Sequence, residues 1–260
     1  MHSTEREHLI LEAVGKVGFV SYRDLEALLD ASPATIRRDL RRLEEEGQLL
    51  RVHGGAKLPK GDPGNSARPG LTGTPFEQSL LSNLAHKRAI GKAAAALCVP
   101  GEGIIIDGGT TTFQMCQHLD GLRLQVLTNS LHIVNALLLQ ENTHVLVPSG
   151  TVFREQNIIL APSGENSMPR FHASTLFMGA ASVGPSGVMQ ADAVLVASQR
   201  RFMALAGQVV LLVDSSKFAN NSGAIVCGLE EIDKVVTDRG ISDAALAMLE
   251  TNGVEVTLAD

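Results

Sequence analysis

The sequence predicts an α/β chain built around a doubly wound, mostly parallel sheet, with a small N-terminal domain ahead of it. Three observations carry this prediction. Beyond residue 100, short apolar runs alternate with helical patterns, the signature of a parallel sheet covered by helices on both faces. The first sixty residues instead read as helix, helix, tight turn, helix. Between the two, "LPKGDPGNSARPGLTGTP" (58–75) holds four Pro and four Gly and almost nothing that enters a core, as a flexible linker does. The domains therefore fall at 1–57 and 76–260.

The N-terminal elements follow from spacing and caps. Leu9, Ile10, Ala13, Val14 and Val17 recur at helical intervals, and Gly18 ends the pattern. In "SYRDLEALLD", Ser21 is placed to cap a second helix with Asp24 in its first turn, and Leu25, Leu28 and Leu29 face inward. Ser32 caps a third helix, and Pro33 occupies its first turn, where a missing N–H costs little. "GQLLRVHGGA" then reads as a hairpin: Gly47 stops the helix, Leu49 to Val52 extend, and "HGG" turns between basic flanks.

The third helix is the informative one. Arg37, Arg38, Arg41 and Arg42 fall within six positions of a chain whose net charge is -6. Residues 1–60 carry ten basic and ten acidic groups, so the whole acidic excess lies on the remaining 200. Such asymmetry is what a chain shows when one part meets a polyanion. On a helical wheel Ile36, Leu40 and Leu43 share a narrow arc while the arginines cover the opposite side. A helix in the major groove reads bases through its N-terminal half. Ser32, Ala34, Thr35 and Arg38 are thus the candidate base readers. Arg37, Arg41 and Arg42 are placed to hold phosphates, which position without specifying sequence. Arg51 and His53 belong to the hairpin, read as a wing along the DNA backbone. The rival reading is a solvated charged face that contributes only solubility.

The strings "GFVSYRDLEALLDASPATIRRDL" and "TIRRDLRRLEEEGQLLRVHGGA" decide between these readings. They closely resemble the winged helix-turn-helix of DeoR-family transcription regulators over nearly all of residues 5–57. That resemblance implies operator DNA as a partner.

Seven apolar runs order the body: "GIIID", "LQVLTN", "HVLVPSG", "STLFMGA", "QVVLLVDSSK", "KVVTD" and "VEVTL". Polar loops come after several of them: "DGGTTT" (107–112), "TNS" (128–130), "PSG" (148–150) and "DSSK" (214–217). Ligands of open α/β sheets bind outside the carboxyl ends of the strands, so these loops converge on one edge. Gly108 and Gly109 precede a helix start and offer close backbone approach and free N–H groups, with hydroxyls from Thr110, Thr111 and Thr112, which suits a phosphate. Lys217 adds a point charge, while Asp107 and Asn129 hydrogen-bond sugar hydroxyls. The ligand class is a phosphorylated sugar or polyol.

"DGGTTT", "TNSL" and "VDSSKF" also resemble the DeoR family's C-terminal sensor domain across 76–260, which is itself similar to ribose-5-phosphate isomerase. That resemblance implies effector contacts at Asp107, Gly108, Gly109, Thr110, Thr111, Thr112, Asn129, Ser130, Gly150 and Lys217. "PSG" departs from the Gly-Gly pair common at its loop, which leaves the roles of Ser149 and Gly150 open. "APSGENSMPRFHASTLFMGA" (161–180) is similar to the family's L-ascorbate-utilisation branch, implying L-ascorbate 6-phosphate as effector, with Glu165 and Asn166 as further contacts.

Other classes are less well served. A sugar-phosphate isomerase needs a positioned carboxylate base, a role open to Asp107 or Asp214, but no acid–base pair with defined spacing is present. There is no G-x-S-x-G elbow for a hydrolase. The eight histidines are scattered and the three cysteines are few, odd in number and far apart, so neither a metal site nor a disulfide framework is expected. With no Trp and one Tyr, aromatic sugar platforms are lacking. No apolar stretch spans a bilayer and no signal peptide opens the chain, which points to the cytoplasm. The chain is therefore expected to be a non-enzymatic, sugar-phosphate-released repressor of a carbohydrate operon, acting as a homodimer or homotetramer.

Overall fold

The computed structural model describes residues 6–260 apart from 8, 12, 15–18, 30, 46–47, 53–54, 58–75, 155, 163–166 and 220–222. The chain divides into two compact units, Met1–Pro69 and Gly70–Asp260. The segment read as a linker lies outside the described residues, as do His53 of the wing and Glu165 and Asn166 of the segment 161–180.

In the smaller unit, helical residues between 6 and 14 form α1. A short strand β1 (Phe19–Ser21) leads into α2 (Tyr22–Leu28). Ser21 and Asp24 form a complete capping box at this junction: the Ser21 hydroxyl accepts from the Asp24 N–H, and the Asp24 carboxylate accepts from the Ser21 N–H. α3 (Pro33–Glu45) starts where Ser32 and Pro33 predict, with Thr35 N–H donating to the Ser32 hydroxyl at 3.3 Å. β2 (Leu50–Val52) and β3 (Gly55–Lys57) pair antiparallel, and β3 also pairs with β1. The wing is thus part of a three-stranded sheet in the order β1-β3-β2.

One core serves this unit. Ile10 and Val14 of α1, Leu25 and Leu29 beside α2, and Ile36, Leu40 and Leu43 of α3 are buried together. Each large side chain contributes roughly 1.5–3 kcal/mol on burial. Leu28 departs from the expectation: it is 50% exposed. Helical geometry gives the reason, since Leu28 lies about 100° from Leu29 around the axis and so at the margin of the buried arc.

In the larger unit, α4 (Phe76–Leu81) and α5 (Leu84–Ala95) precede β4 (Gly103–Ile106), β5 (Gln125–Leu127), α6 (Leu131–Leu137) and β6 (His144–Leu146). A hairpin of β7 (Thr151–Phe153) and β8 (Ile158–Leu160) comes next, then β9 (Ala173–Met178), β10 (Ser182–Gly184) and β11 (Gly187–Gln190). α7 (Ala193–Met203), β12 (Ala206–Leu212), β13 (Ala224–Cys227), β14 (Lys234–Asp238), α8 (Asp243–Thr251) and β15 (Glu255–Ala259) complete it. The seven apolar runs become the seven strands of one sheet, in the order β15-β14-β12-β9-β4-β5-β6. Every pairing in it is parallel. Two buried apolar layers form, one containing Ile105, Leu176 and Leu211 and the other Ile104, Ile106 and Phe177. Alternate strand residues therefore feed opposite faces, as a doubly wound sheet requires.

Strand order places the site. From β4 the chain winds outward through β5 and β6; from β9 it winds the other way through β12, β14 and β15. The reversal falls between the neighbours β4 and β9, the switch point where such sheets open a crevice. A second small antiparallel sheet, β10-β11-β13, lies outside this pattern. Cys98, Cys116 and Cys227 are all free thiols, and burial pushes each up to about 12. Among the described residues no helix is long and apolar enough to cross a membrane, and no cluster of side chains suits a metal ion.

Candidate DNA-reading face and effector cavity

α3 presents the residues singled out as DNA contacts. Ser32, Ala34, Arg37, Arg38, Arg41 and Arg42 are placed on its accessible side, and Thr35 is half-buried against the Ser32 hydroxyl at 2.9 Å. The opposite side of the helix is anchored by more than apolar packing. Asp39 is buried and receives Arg6 from α1 at 2.8 Å and 3.3 Å, a bidentate pair that fixes how α3 is rotated on its support. Arg42 is ion-paired with Glu7, so its charge is shared inside the unit. Arg37 lies over the Tyr22 ring, 5.9 Å from its centre. Among the described residues Arg38 and Arg41 form no ion pair. On the wing, Arg51 meets Glu44 of α3 at 3.3 Å and its own N–H donates to the same carboxylate at 3.0 Å.

In the larger unit a cavity of about 300 Å³ opens at the switch point. Asp107, Gly108, Gly109, Thr110 and Thr111 line it from the end of β4, Asn129 from the end of β5, and Lys217 from the loop after β12. Thr112, Ser130 and Gly150 do not line it. Thr112 is fully buried and its hydroxyl donates to the Asp107 and Gly109 carbonyls. Ser130 is spent as the N-cap of α6, accepting from Ile133 N–H. Gly150 packs on the hairpin, where an added Cβ would stand 2.1 Å from the Leu160 carbonyl oxygen.

The glycine loop is shaped by its neighbours. A Cβ on Gly108 would meet Ile158 Cγ2 at 2.7 Å and Asn129 Oδ1 at 3.2 Å, so only glycine lets the loop approach this closely. Gly108 N–H is taken by Asn129 Oδ1 at 3.0 Å. No described residue accepts from the N–H groups of Gly109, Thr110 or Thr111, and such successive donors form an anion-binding concavity. The loop runs into a 3-10 helix, Thr112–His118.

Asp107 holds the cavity floor. It is 4% exposed, and its Oδ2 accepts from Gln199 Nε2 at 2.6 Å. Burial pushes its carboxyl up to about 6, with the Gln199 and Gly108 hydrogen bonds opposing. Gln199 also donates to the Gly179 carbonyl at 2.9 Å, so one amide bridges the ends of β4 and β9. Asn129 completes the wall by donating to Ser198 of α7 at 3.1 Å. Across the cavity, Asp214 caps the turn bearing Lys217 by accepting from Ser216 N–H at 3.1 Å.

Several lining residues escaped the sequence: Phe76 and Ser79 of α4, Gln156, Gln190, and Leu195, Ser198 and Gln199 of α7. They sit in helices, in a short strand or, for Gln156, in the turn of the β7-β8 hairpin, without a motif. The one signal available was the polar pair Ser198-Gln199 inside the otherwise apolar start of α7, "AVLVASQ".

A winged reading helix in one unit and a switch-point cavity in the other define a DNA-binding transcription regulator that carries a sensor domain. A DeoR-like helix-turn-helix domain matches residues 6–61, and a DeoR C-terminal sensor domain matches 82–239. The chain belongs to the DeoR family. Its relatives include the HTH-type transcriptional regulator UlaR of Shigella dysenteriae, 32% identical over 257 residues, covering 98% of this chain and 99% of that one. The protein of the same name from Escherichia coli K12 is 31% identical over the same lengths. Among solved structures, ribose 5-phosphate isomerase A from Methanocaldococcus jannaschii overlaps with a TM-score of 0.40 at 18% identity, covering 53% of this chain and 55% of that one. The eIF2B delta subunit from Chaetomium thermophilum overlaps with a TM-score of 0.40 at 11% identity, covering 59% and 55%. The UlaR relatives make the chain a regulator and not an enzyme.

Proposed function

We propose that this regulator represses a carbohydrate-uptake or catabolic operon and leaves its operator when a phosphorylated sugar fills the switch-point cavity. One observation carries the reading: the free N–H groups of Gly109, Thr110 and Thr111 and the ammonium group of Lys217 line the same cavity as the hydroxyl-binding groups Asp107 and Asn129. An anion fits the first set and a polyol the second. Thr112, Ser130 and Gly150 act from behind, as supports of the loops. In the DNA-reading unit, Arg38 and Arg41 are the freest cations of α3, with Ser32, Ala34 and Thr35 at its leading end. The similarity of 161–180 to the L-ascorbate-utilisation branch makes L-ascorbate 6-phosphate the first compound to test.

Release requires that the effector favour the arrangement that does not hold DNA, because equal affinity for both arrangements shifts nothing. A dimer or tetramer of the chain places two reading helices on a two-fold operator. The test is fluorescence anisotropy on labelled DNA from upstream of the gene and of neighbouring transport genes, at fixed salt, with a panel of sugar phosphates. Binding reversed by one phosphorylated sugar and not by its unphosphorylated form supports the reading; tight binding that the whole panel leaves intact refutes the effector assignment.

A further inference from the structure

α4 is the first described element after the proline- and glycine-rich segment 58–75, and it contributes Phe76 and Ser79 to the cavity wall. A six-residue helix is far too short to be stable alone, so its seat is set by what grips it. Phe76 is buried, stacks on His132 with ring centres 3.9 Å apart, and meets Phe113 edge-on at 5.9 Å. Further along α4, the ammonium group of Lys87 from α5 donates to the Ser79 carbonyl.

Lys87 is an unusual residue to find there, being only 4% exposed. Burial lowers its pKa, the charge of Asp214 opposes that, and the charge of Lys217 adds to it. The two lysines therefore share the field of one buried carboxylate. Asn83, between α4 and α5, adopts a left-handed φ of 52° and donates through Nδ2 to Asp214 Oδ1 at 3.0 Å and to the Ser216 hydroxyl at 3.4 Å. A non-glycine residue stays in that region when its surroundings hold it. Here the surroundings are the turn that carries Lys217.

We propose that Lys87 and Asn83 are positioning residues of the regulatory switch: they make the seat of α4 depend on whether an anion occupies the Lys217 side of the cavity. The inference rests on the effector cavity described under the proposed function. An anion beside Lys217 gives two cations a second counter-charge, which weighs more in a partly buried site than in water. Phe76 and Ser79 line the cavity that such a ligand would fill, so its fit would discriminate between placements of α4. That discrimination is the differential affinity a switch needs.

The experiment uses the full chain, labelled upstream DNA at fixed salt, and L-ascorbate 6-phosphate and D-ribose 5-phosphate as probes, with direct probe binding measured by calorimetry. In Lys87→Met, probe binding stays within about threefold of wild type and operator binding is unchanged. The ratio of operator affinities without and with saturating probe, about 5–150-fold in coupled regulators, falls below about threefold. Asn83→Gly keeps the left-handed backbone while removing both side-chain bonds, and it lowers the same ratio; it decides the matter if Lys87→Met does not fold. Undiminished coupling in the folded variants overturns the inference and leaves the effector site standing. Parallel loss of probe binding and release also overturns it, because Lys87 would then hold the ligand itself. A wild-type chain that binds DNA and is released by neither probe removes the effector reading and this inference with it.

Discussion

Asp107 gives the most quantitative prediction. Its carboxyl is moved from 3.8 to about 6 by burial, so the folded chain holds this proton more tightly than the unfolded chain does. A group whose folded pKa is raised contributes stability below the unfolded value and loses it as pH rises through the folded one. The full effect corresponds to a few kcal/mol, of which about 1 kcal/mol is lost between pH 5 and pH 8. Asp107→Asn removes the titration while keeping an acceptor for Gln199. The assay is urea unfolding of both proteins from pH 5 to pH 8, followed by far-UV circular dichroism. The emission of Tyr22, the one tyrosine of the chain, separates out the smaller unit. The variant should gain on the wild type by about 1 kcal/mol across that range. A difference between the two that stays flat with pH would refute the placement of Asp107 in a desolvated floor.

Arg38→Ala should weaken operator binding by about 1–3 kcal/mol and relax sequence preference, read by anisotropy against operator and scrambled DNA; equal affinity in both comparisons removes Arg38 from the reading face. Lys217→Ala should bind operator like wild type yet resist release by sugar phosphate, and release at the wild-type concentration would move the phosphate elsewhere. Arg6→Ala leaves the buried Asp39 without its partner and should lower the unfolding temperature of the smaller unit, followed through Tyr22, more than Arg38→Ala does. Gly91→Ala places a Cβ 2.6 Å from Gln114 Cβ, and overpacking of this kind should cost about 1–3 kcal/mol in urea; an unchanged midpoint would mean that α5 does not press on the 3-10 turn.

Much of this architecture was legible in the sequence because its signals are local. Ser21 and Asp24, or Ser32 and Pro33, announce their helices through caps that need no distant partner. The central strands β4, β9, β12 and β14 are mostly buried and read as apolar runs, while the edge strands β6 and β15 are partly exposed and are marked by their valines and leucines. β1, the β7-β8 hairpin and the strands β10, β11 and β13 escape such a reading, since three or four residues, whether mixed as in "SVG" and "GVMQ" or apolar as in "IIL" and "AIVC", carry too little pattern to separate from a loop. The cavity divides in the same way. Asp107 to Thr111, Asn129 and Lys217 stand just past strand ends, where topology aims residues at a common edge. Thr112 belongs to the same string but turns inward to serve the loop carbonyls. Ser79 and Gln199 reach the cavity through helix packing, which no short stretch of sequence encodes.

The reversal of winding between β4 and β9 has a consequence for how the protein comes into being. The cavity draws its walls from residues 76 to 217, and its two halves are joined only when β9 and β12 have added to β4. The residues proposed to read DNA all precede residue 58. At a synthesis rate of about 5–20 residues per second, the reading unit is complete roughly 10–30 s before Lys217 has been made. During that interval each nascent chain owns a reader without a sensor. The order of the chain therefore separates its two parts in time: the helix-turn-helix is completed early and locally, and the cavity last, as a property of the finished sheet.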